Sequence, residues 1–179
     1  MTPATLAKSG TEHAHQTALF AYAAVAYLHG FDVADEWSKT GKLPKRDPDA
    51  PPKVPALEWF HAIPNGGSRG DDDKSRKIRG AQLKAEGVRQ GVADTFLPWP
   101  VYEQCPADSQ IMMMKWAGLY IEMKKPTERP KSETAKGGVS DEQRSFGEYA
   151  KRVGYGWAVC YDWEQAASYL RSYIEWGSQ

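Results

Sequence analysis

Asp94, Glu122 and Lys124 form a set of side chains that could do chemistry together. Glu122 and Lys124 belong to the run Gly118-Leu119-Tyr120-Ile121-Glu122-Met123-Lys124, which reads as a strand. Side chains alternate along a strand, so Leu119, Ile121 and Met123 point one way while Tyr120, Glu122 and Lys124 point the other. A charged pair on one face of a short apolar strand suits a divalent metal beside an activated water better than a plain core. Asp94, in Gly91-Val92-Ala93-Asp94-Thr95-Phe96-Leu97-Pro98, adds an acid from a separate strand. An acid followed by acid-x-Lys is the minimal outline of a metal-dependent phosphodiesterase site. Hard oxygen ligands select Mg²⁺ or Mn²⁺, which lower the pKa of bound water and neutralise developing charge. The ammonium of Lys124 would stand where negative charge grows. Spacing alone is a weak signal, because acid-x-Lys recurs at Asp72-Asp73-Lys74 in a stretch that reads as loop. A solvated edge-strand ion pair is the plain alternative for Glu122 and Lys124.

The elements that must position these residues come from a chain of 179 residues, long enough to bury a core as a single domain spanning 1–179. Residues 1–10 read as a loose end. Thr11 can cap a helix to about Leu28, with Leu19, Phe20, Ala23, Ala26 and Tyr27 as its apolar stripe and Gly30 as its stop. The polar, Pro-rich stretch 31–53 reads as a surface insertion. Trp59 to Ile63 is a first strand, halted by Pro64-Asn65-Gly66-Gly67. Ser75 can cap a second helix to about Glu86, and Gly91 to Leu97 is a second strand. The stretch 98–117 reads as a second, irregular insertion, interrupted by Pro98, Pro100 and Pro106. After the third strand, Leu119 to Lys124, a basic Pro/Gly loop runs to Val139. Ser140-Asp141-Glu142-Gln143 is a capping box opening a helix to about Val153. A fourth strand, Tyr155 to Cys160, leads to Asp162-Trp163-Glu164-Gln165 and a last helix with Ala166, Tyr169, Leu170 and Tyr173 on one face. The order α-β-α-β-β-α-β-α predicts a three-layer α/β fold around a four-stranded mixed sheet.

Composition narrows the function classes. Net charge is formally zero, 26% of residues are charged, and mean hydropathy is −0.64. There is no global basic field, and no apolar run reaches the roughly 18–20 residues that a membrane span needs. We expect a cytoplasmic protein with no membrane partner. Cys105 and Cys160 have no zinc or disulfide spacing. Locally, Lys74, Arg76, Lys77, Arg79, Lys84 and Arg89 face only Glu86, while Lys124, Lys125, Arg129, Lys131 and Lys136 follow the acidic set. Basic stretches beside acidic ligands would suit a phosphate backbone; an ordinary solvated surface is the plainer reading.

The chain resembles the stand-alone, phage-type VRR-NUC proteins of the PD-(D/E)xK nuclease superfamily. The likeness runs from Thr11 to Ile174. It rests on Thr11-Glu12-His13 with Gln16 to Phe20, Ala62 to Gly67, Leu83 to Val88, Gly91 to Asp94, Gly118 to Lys124, Ser140 to Gln143, and Gly154-Tyr155 with Val159-Cys160 leading to Trp163. Ala93 stands where the family usually has Pro before its acid, and three stretches, 31–53, 98–117 and 126–138, are longer than in a minimal member. The resemblance implies a restriction-endonuclease-like fold and a Mg²⁺- or Mn²⁺-dependent DNA endonuclease, acting on branched or flapped DNA in some relatives. It also implies a homodimer, encoded by a phage or prophage in a bacterial host. Carried over by position, Asp94 and Glu122 would bind the metal directly, with the main-chain carbonyl of Met123. Lys124 would orient the attacking water, Glu12 would reach the metal through water, and Gln143 would lie close by.

Each further candidate has a plainer role. Glu12 in a first helical turn complements the helix dipole, and Gln143 is the partner of its capping box. Asn65 belongs to a turn that could also bring backbone close to DNA. Lys84 and Arg79, with Lys125, are candidate phosphate contacts or a solvated face. His13 and His15, two apart on a helix, do not share a face and make no metal pair. Tyr169, Tyr173, Trp157 and Trp163 read as core. The alternative function is a binding module on the same fold that engages DNA without cutting. An unrelated small α/β enzyme is disfavoured, since the chain has no Gly-rich phosphate loop.

Overall fold

The computed structural model describes residues 1–64, 73–132, 135 and 137–176. Its centre is a four-stranded sheet of β1 (His61–Ala62), β2 (Thr95–Leu97), β5 (Leu119–Met123) and β6 (Gly156–Cys160), in that order. β1 pairs antiparallel with β2, β2 antiparallel with β5, and β5 parallel with β6. The register aligns Leu119, Ile121 and Met123 with Gly156, Ala158 and Cys160. This face meets α2 (Glu12–His29) and α6 (Trp163–Trp176) in one apolar core with Ala18, Leu19, Ala166 and Leu170. Tyr120 and Glu122 stand on the opposite face beside Trp157 and Val159, under α5 (Asp141–Arg152). Helices therefore cover both faces, the three-layer mixed α/β fold read from the element order. At the α5 layer a Cβ on Gly147 would lie 2.4 Å from the Trp157 ring, so only glycine allows this approach.

Local signals explain most of the helix ends. Thr11 Oγ1 accepts the Ala14 N–H at 3.2 Å at the start of α2, and Gly30 takes φ +93° at its end. The Ser140/Gln143 capping box opens α5. At α6, Asp162 Oδ1 accepts the Gln165 N–H at 2.7 Å, and Gln165 Oε1 accepts the Tyr161 N–H at 3.0 Å. The Trp163 N–H donates to His15 Nδ1 at 3.2 Å, which gives buried His15 a structural role. Helix α4 (Asp73–Ala85) begins two residues before Ser75. Strand β1 is two residues long, and Trp59, expected within it, is 72% exposed.

Four expectations are corrected. Residues 1–10 are not loose: α1 (Pro3–Leu6) and a 3₁₀ turn (Ala7–Ser9) pack on α2 and bury Pro3 and Ala7. The stretch 31–53 is not wholly an excursion, because it opens with α3 (Phe31–Thr40), which buries Phe31, Ala34 and Trp37. Those residues recur every three positions and form one helical stripe, hidden by the polar composition around them. The stretch 98–117 holds a hairpin, β3 (Val101–Cys105) and β4 (Asp108–Trp116). Its prolines lie before β3 and in the turn, where they punctuate strands instead of breaking them. Tyr173 is buried as expected, but Tyr169 is 45% exposed. Trp163 is buried and Trp157 half-buried. Asn65, Gly66 and Gly67 lie outside the described residues.

Candidate active site

Two adjacent strands bring the acids together. Asp94 immediately precedes β2, and its Oδ2 accepts the Met123 N–H of β5 at 2.7 Å. The N–H and C=O of one extended residue point to the same side, so the Met123 carbonyl projects from the edge that Asp94 occupies. Glu122 lies on β5, and Lys124 follows that strand, anchored by its N–H to the Cys160 carbonyl at 2.8 Å. Alternation places Glu122 and Lys124 on the face shared with α5.

The charged groups form a compact cluster. Lys124 Nζ lies 2.9 Å from Glu122 Oε1 and 3.8 Å from Glu12 Oε1. Gln143 Nε2 also donates to Glu122 Oε1, while Gln143 Oε1 accepts the Ser140 N–H at 2.9 Å. Thus Gln143 completes its capping box and holds the acid at once. Glu122 is 1% exposed, and its Oε2 is buried with no hydrogen-bond partner. Burial, followed by the charge of Asp94, pushes the Glu122 carboxyl up to about 7, against the pull of Lys124. Burial also raises Glu12. For Lys124, burial alone would lower the ammonium, but the hydrogen bond and charge of Glu122, with Glu12 and Asp94, raise it. The lysine is therefore held charged, which suits electrostatic positioning over service as a base.

A hard cation fits this donor set. Buried carboxyl oxygen without a partner is costly, and Glu122 Oε2 is such an atom, on a carboxyl that feels the charge of Asp94 and precedes the Met123 carbonyl in the chain. Among the described residues no three His, Cys, Asp or Glu side chains are grouped to hold a metal. Two carboxylates plus waters is the sparse protein shell that Mg²⁺ favours.

The cluster opens on a cleft of about 1180 Å³. Its walls are α4 with Lys77 and Lys84, the segment 87–92, the start of α5 and Glu12. Lys77 and Lys84 are seven apart, two helical turns, and so share a face of α4. Lys77 was not singled out as a site residue from the sequence, although this spacing could have found it. Arg79 falls off that face and lies 3.8 Å from Glu86. Lys125 is exposed beside the cluster, with its N–H donated to Glu128. Asn65 lies outside the described residues.

No family model and no curated protein matches this sequence. A solved structure described as a VRR_NUC domain protein is 18% identical over 93% of this chain and 90% of its own, with a TM-score of 0.50. At that identity the likeness is one of fold. The chain has the fold of a VRR_NUC domain, a PD-(D/E)xK-like α/β fold; in this chain Asp94, Glu122 and Lys124 lie together where the two middle strands, β2 and β5, begin and end.

Proposed function

We propose that this protein is a Mg²⁺- or Mn²⁺-dependent deoxyribonuclease that hydrolyses phosphodiester bonds. The observation that carries the reading is the orphaned Glu122 Oε2, buried beside Asp94 and Lys124 at the floor of a cleft walled by lysines. Asp94, Glu122 and the Met123 carbonyl would hold the cation, which when bound supplies an acidified water and neutralises charge on the phosphate. Lys124 positions that water and stabilises the growing negative charge, with its ammonium fixed by Glu122 and Glu12. Gln143 holds Glu122 from the α5 side. Lys77 and Lys84 offer cations to the DNA backbone. Branched DNA as the preferred target, and a homodimer as the working form, belong to the same proposal; both extend the fold likeness. A module that binds DNA without cutting is the weaker reading, since it would have no use for a buried carboxylate this costly to ionise.

The test is cleavage of labelled four-way junction, flap, duplex and single-stranded DNA with Mg²⁺, Mn²⁺ or EDTA. Wild type should cut in a metal-dependent way, and Lys124→Ala should not. A clean protein that binds DNA and never cuts would transfer the assignment to the binding module.

A further inference from the structure

Beside the cleft lies a second groove of about 810 Å³, between the segment 87–92 and α5. Phe146, Tyr149 and Arg152, three apart along α5, line one side of it, and Arg89 and Gln90 line the other. Arg89 and Gln90 also line the catalytic cleft, so the two hollows share a wall. That wall depends on Gly91 at φ +88°, where a Cβ would lie 2.7 Å from the Glu142 main chain. Glycine alone lets the segment lie against the first turn of α5.

The two hollows differ in chemistry. Lysines stand in the cleft wall, whereas Asp141, Glu142 and Glu148 join the groove. Three carboxylates against two arginines make the groove a poor place for a phosphate. Its aromatic content suits a flat, uncharged ring. Phe146 is held edge-on to Tyr120 at 5.0 Å, so its position is fixed by the sheet beneath. Tyr149 is 53% exposed even with Arg152 5.6 Å over its ring. An exposed tyrosine on a rigid helix, backed by a guanidinium, is a stacking platform of the kind that binds unpaired bases.

We propose that this groove is a subsite for one unpaired nucleobase of the substrate, stacked on Tyr149, with the backbone following the lysine-walled cleft. The proposal rests on the nuclease reading and adds that the strand at the site is unpaired near the cut. Tyr149 lies six residues beyond Gln143, about 9 Å along the helix at 1.5 Å per residue. The stacked base therefore belongs to a near neighbour of the scissile nucleotide. The groove carboxylates and the Gln90 amide can accept hydrogen bonds from the exocyclic amines of adenine, cytosine or guanine.

The experiment uses the full chain and short single-stranded oligodeoxynucleotides carrying one 2-aminopurine, moved position by position, in Ca²⁺ to hold back cleavage. One position should show quenched fluorescence in the wild type. Tyr149→Ala should abolish that quenching and weaken binding about 5- to 150-fold, the range for one base stacked on an aromatic ring. Tyr149→Phe should keep both. An abasic residue at the same position should weaken wild type comparably and Tyr149→Ala no further. No quenched position, or Tyr149→Ala binding like wild type, overturns the subsite. Metal-dependent cutting that is lost in Asp94→Asn would uphold the nuclease reading even then. Absence of any DNA binding would overturn both.

Discussion

Two charge clusters in this protein are built on opposite terms. On the surface, the Arg171 guanidinium meets Asp32, Asp35 and Glu175, each at 2.8 Å, and Asp35 also accepts the Tyr22 hydroxyl at 2.6 Å. Arg171 further lies over the Phe31 ring at 5.4 Å. The cluster pins α3 against α2 and α6 while its members keep access to water. At the end of β5, Glu122 and Lys124 are both buried, and one carboxyl oxygen is left without a partner. The surface cluster places charge where solvation is retained and every geometry is met. The buried one gives up solvation and leaves one carboxyl oxygen with no protein partner. That difference separates the structural ion cluster from the one we propose to be reactive better than the count of charges does.

The comparison breaks most sharply on activity. Asp94→Asn keeps an acceptor for the Met123 N–H but removes the charge, so it should fold like wild type and lose about 10³-fold or more of the cleavage rate. Lys124→Ala should lose a similar factor. Arg171→Ala should cut at near wild-type rate. If Arg171→Ala were as inactive as Asp94→Asn, the division between the two clusters would collapse.

A second test reads the buried cluster through pH. The Glu122 carboxyl titrates near 7 when folded against 4.5 in its ordinary state, so the folded protein holds this proton more tightly. The stability from that proton is full below 4.5 and is lost as pH rises through about 7; the gap is worth on the order of 3 kcal/mol at most. Glu12, also raised, acts in the same direction. Lys124 is raised from 10.5 and keeps its contribution throughout this window. Denaturation of the protein in EDTA should therefore show stability falling between pH 5 and pH 8. On the proposed metal site, added Mg²⁺ would displace the proton, so calorimetry near pH 6 in buffers of different ionisation enthalpy should find proton release. At 100 times its dissociation constant the cation should restore about 2.7 kcal/mol in wild type and far less in Asp94→Asn. Stability that is flat with pH and indifferent to Mg²⁺ would remove the reactive character assigned to Glu122.

What was legible in the sequence divides along the same line. Alternation in Leu119 to Lys124 and the caps at Thr11, Ser140 and Asp162 are local signals, and they located β5, α2, α5 and α6. Asp94, Glu122 and Lys124 were nameable because their types are out of place in or beside short apolar strands. What escaped was set by partners distant in the chain. Nothing near Asp32 or Asp35 reveals Arg171, 136 residues beyond Asp35, so α3 reads as surface excursion. The hairpin β3–β4 exposes Ile111, Met112, Met113 and Met114, a run that fits neither a buried strand nor a helix face. The wall shared by the cleft and its side groove required Gly91 to meet Glu142, a contact between segments about fifty residues apart.

The smallest effect concerns the surface cluster itself. Arg171→Ala removes three ion pairs at once, but exposed pairs are individually worth little, and water replaces the guanidinium around Asp32, Asp35 and Glu175. Part of the loss is packing, since the arginine stem and head cover Phe31. We expect a loss of about 1 kcal/mol in urea denaturation, with the denaturant slope unchanged. Arg171→Lys should recover less than half of it, because an ammonium cannot serve three carboxylates in the planar fork geometry. High salt should shrink the gap between wild type and Arg171→Ala, since these charges stand in solvent. The same salt should leave the pH dependence assigned to Glu122 nearly intact, because that carboxyl is shielded from ions by burial. A cluster that answers to salt and another that answers to protons would then be distinguished in one protein by one titration.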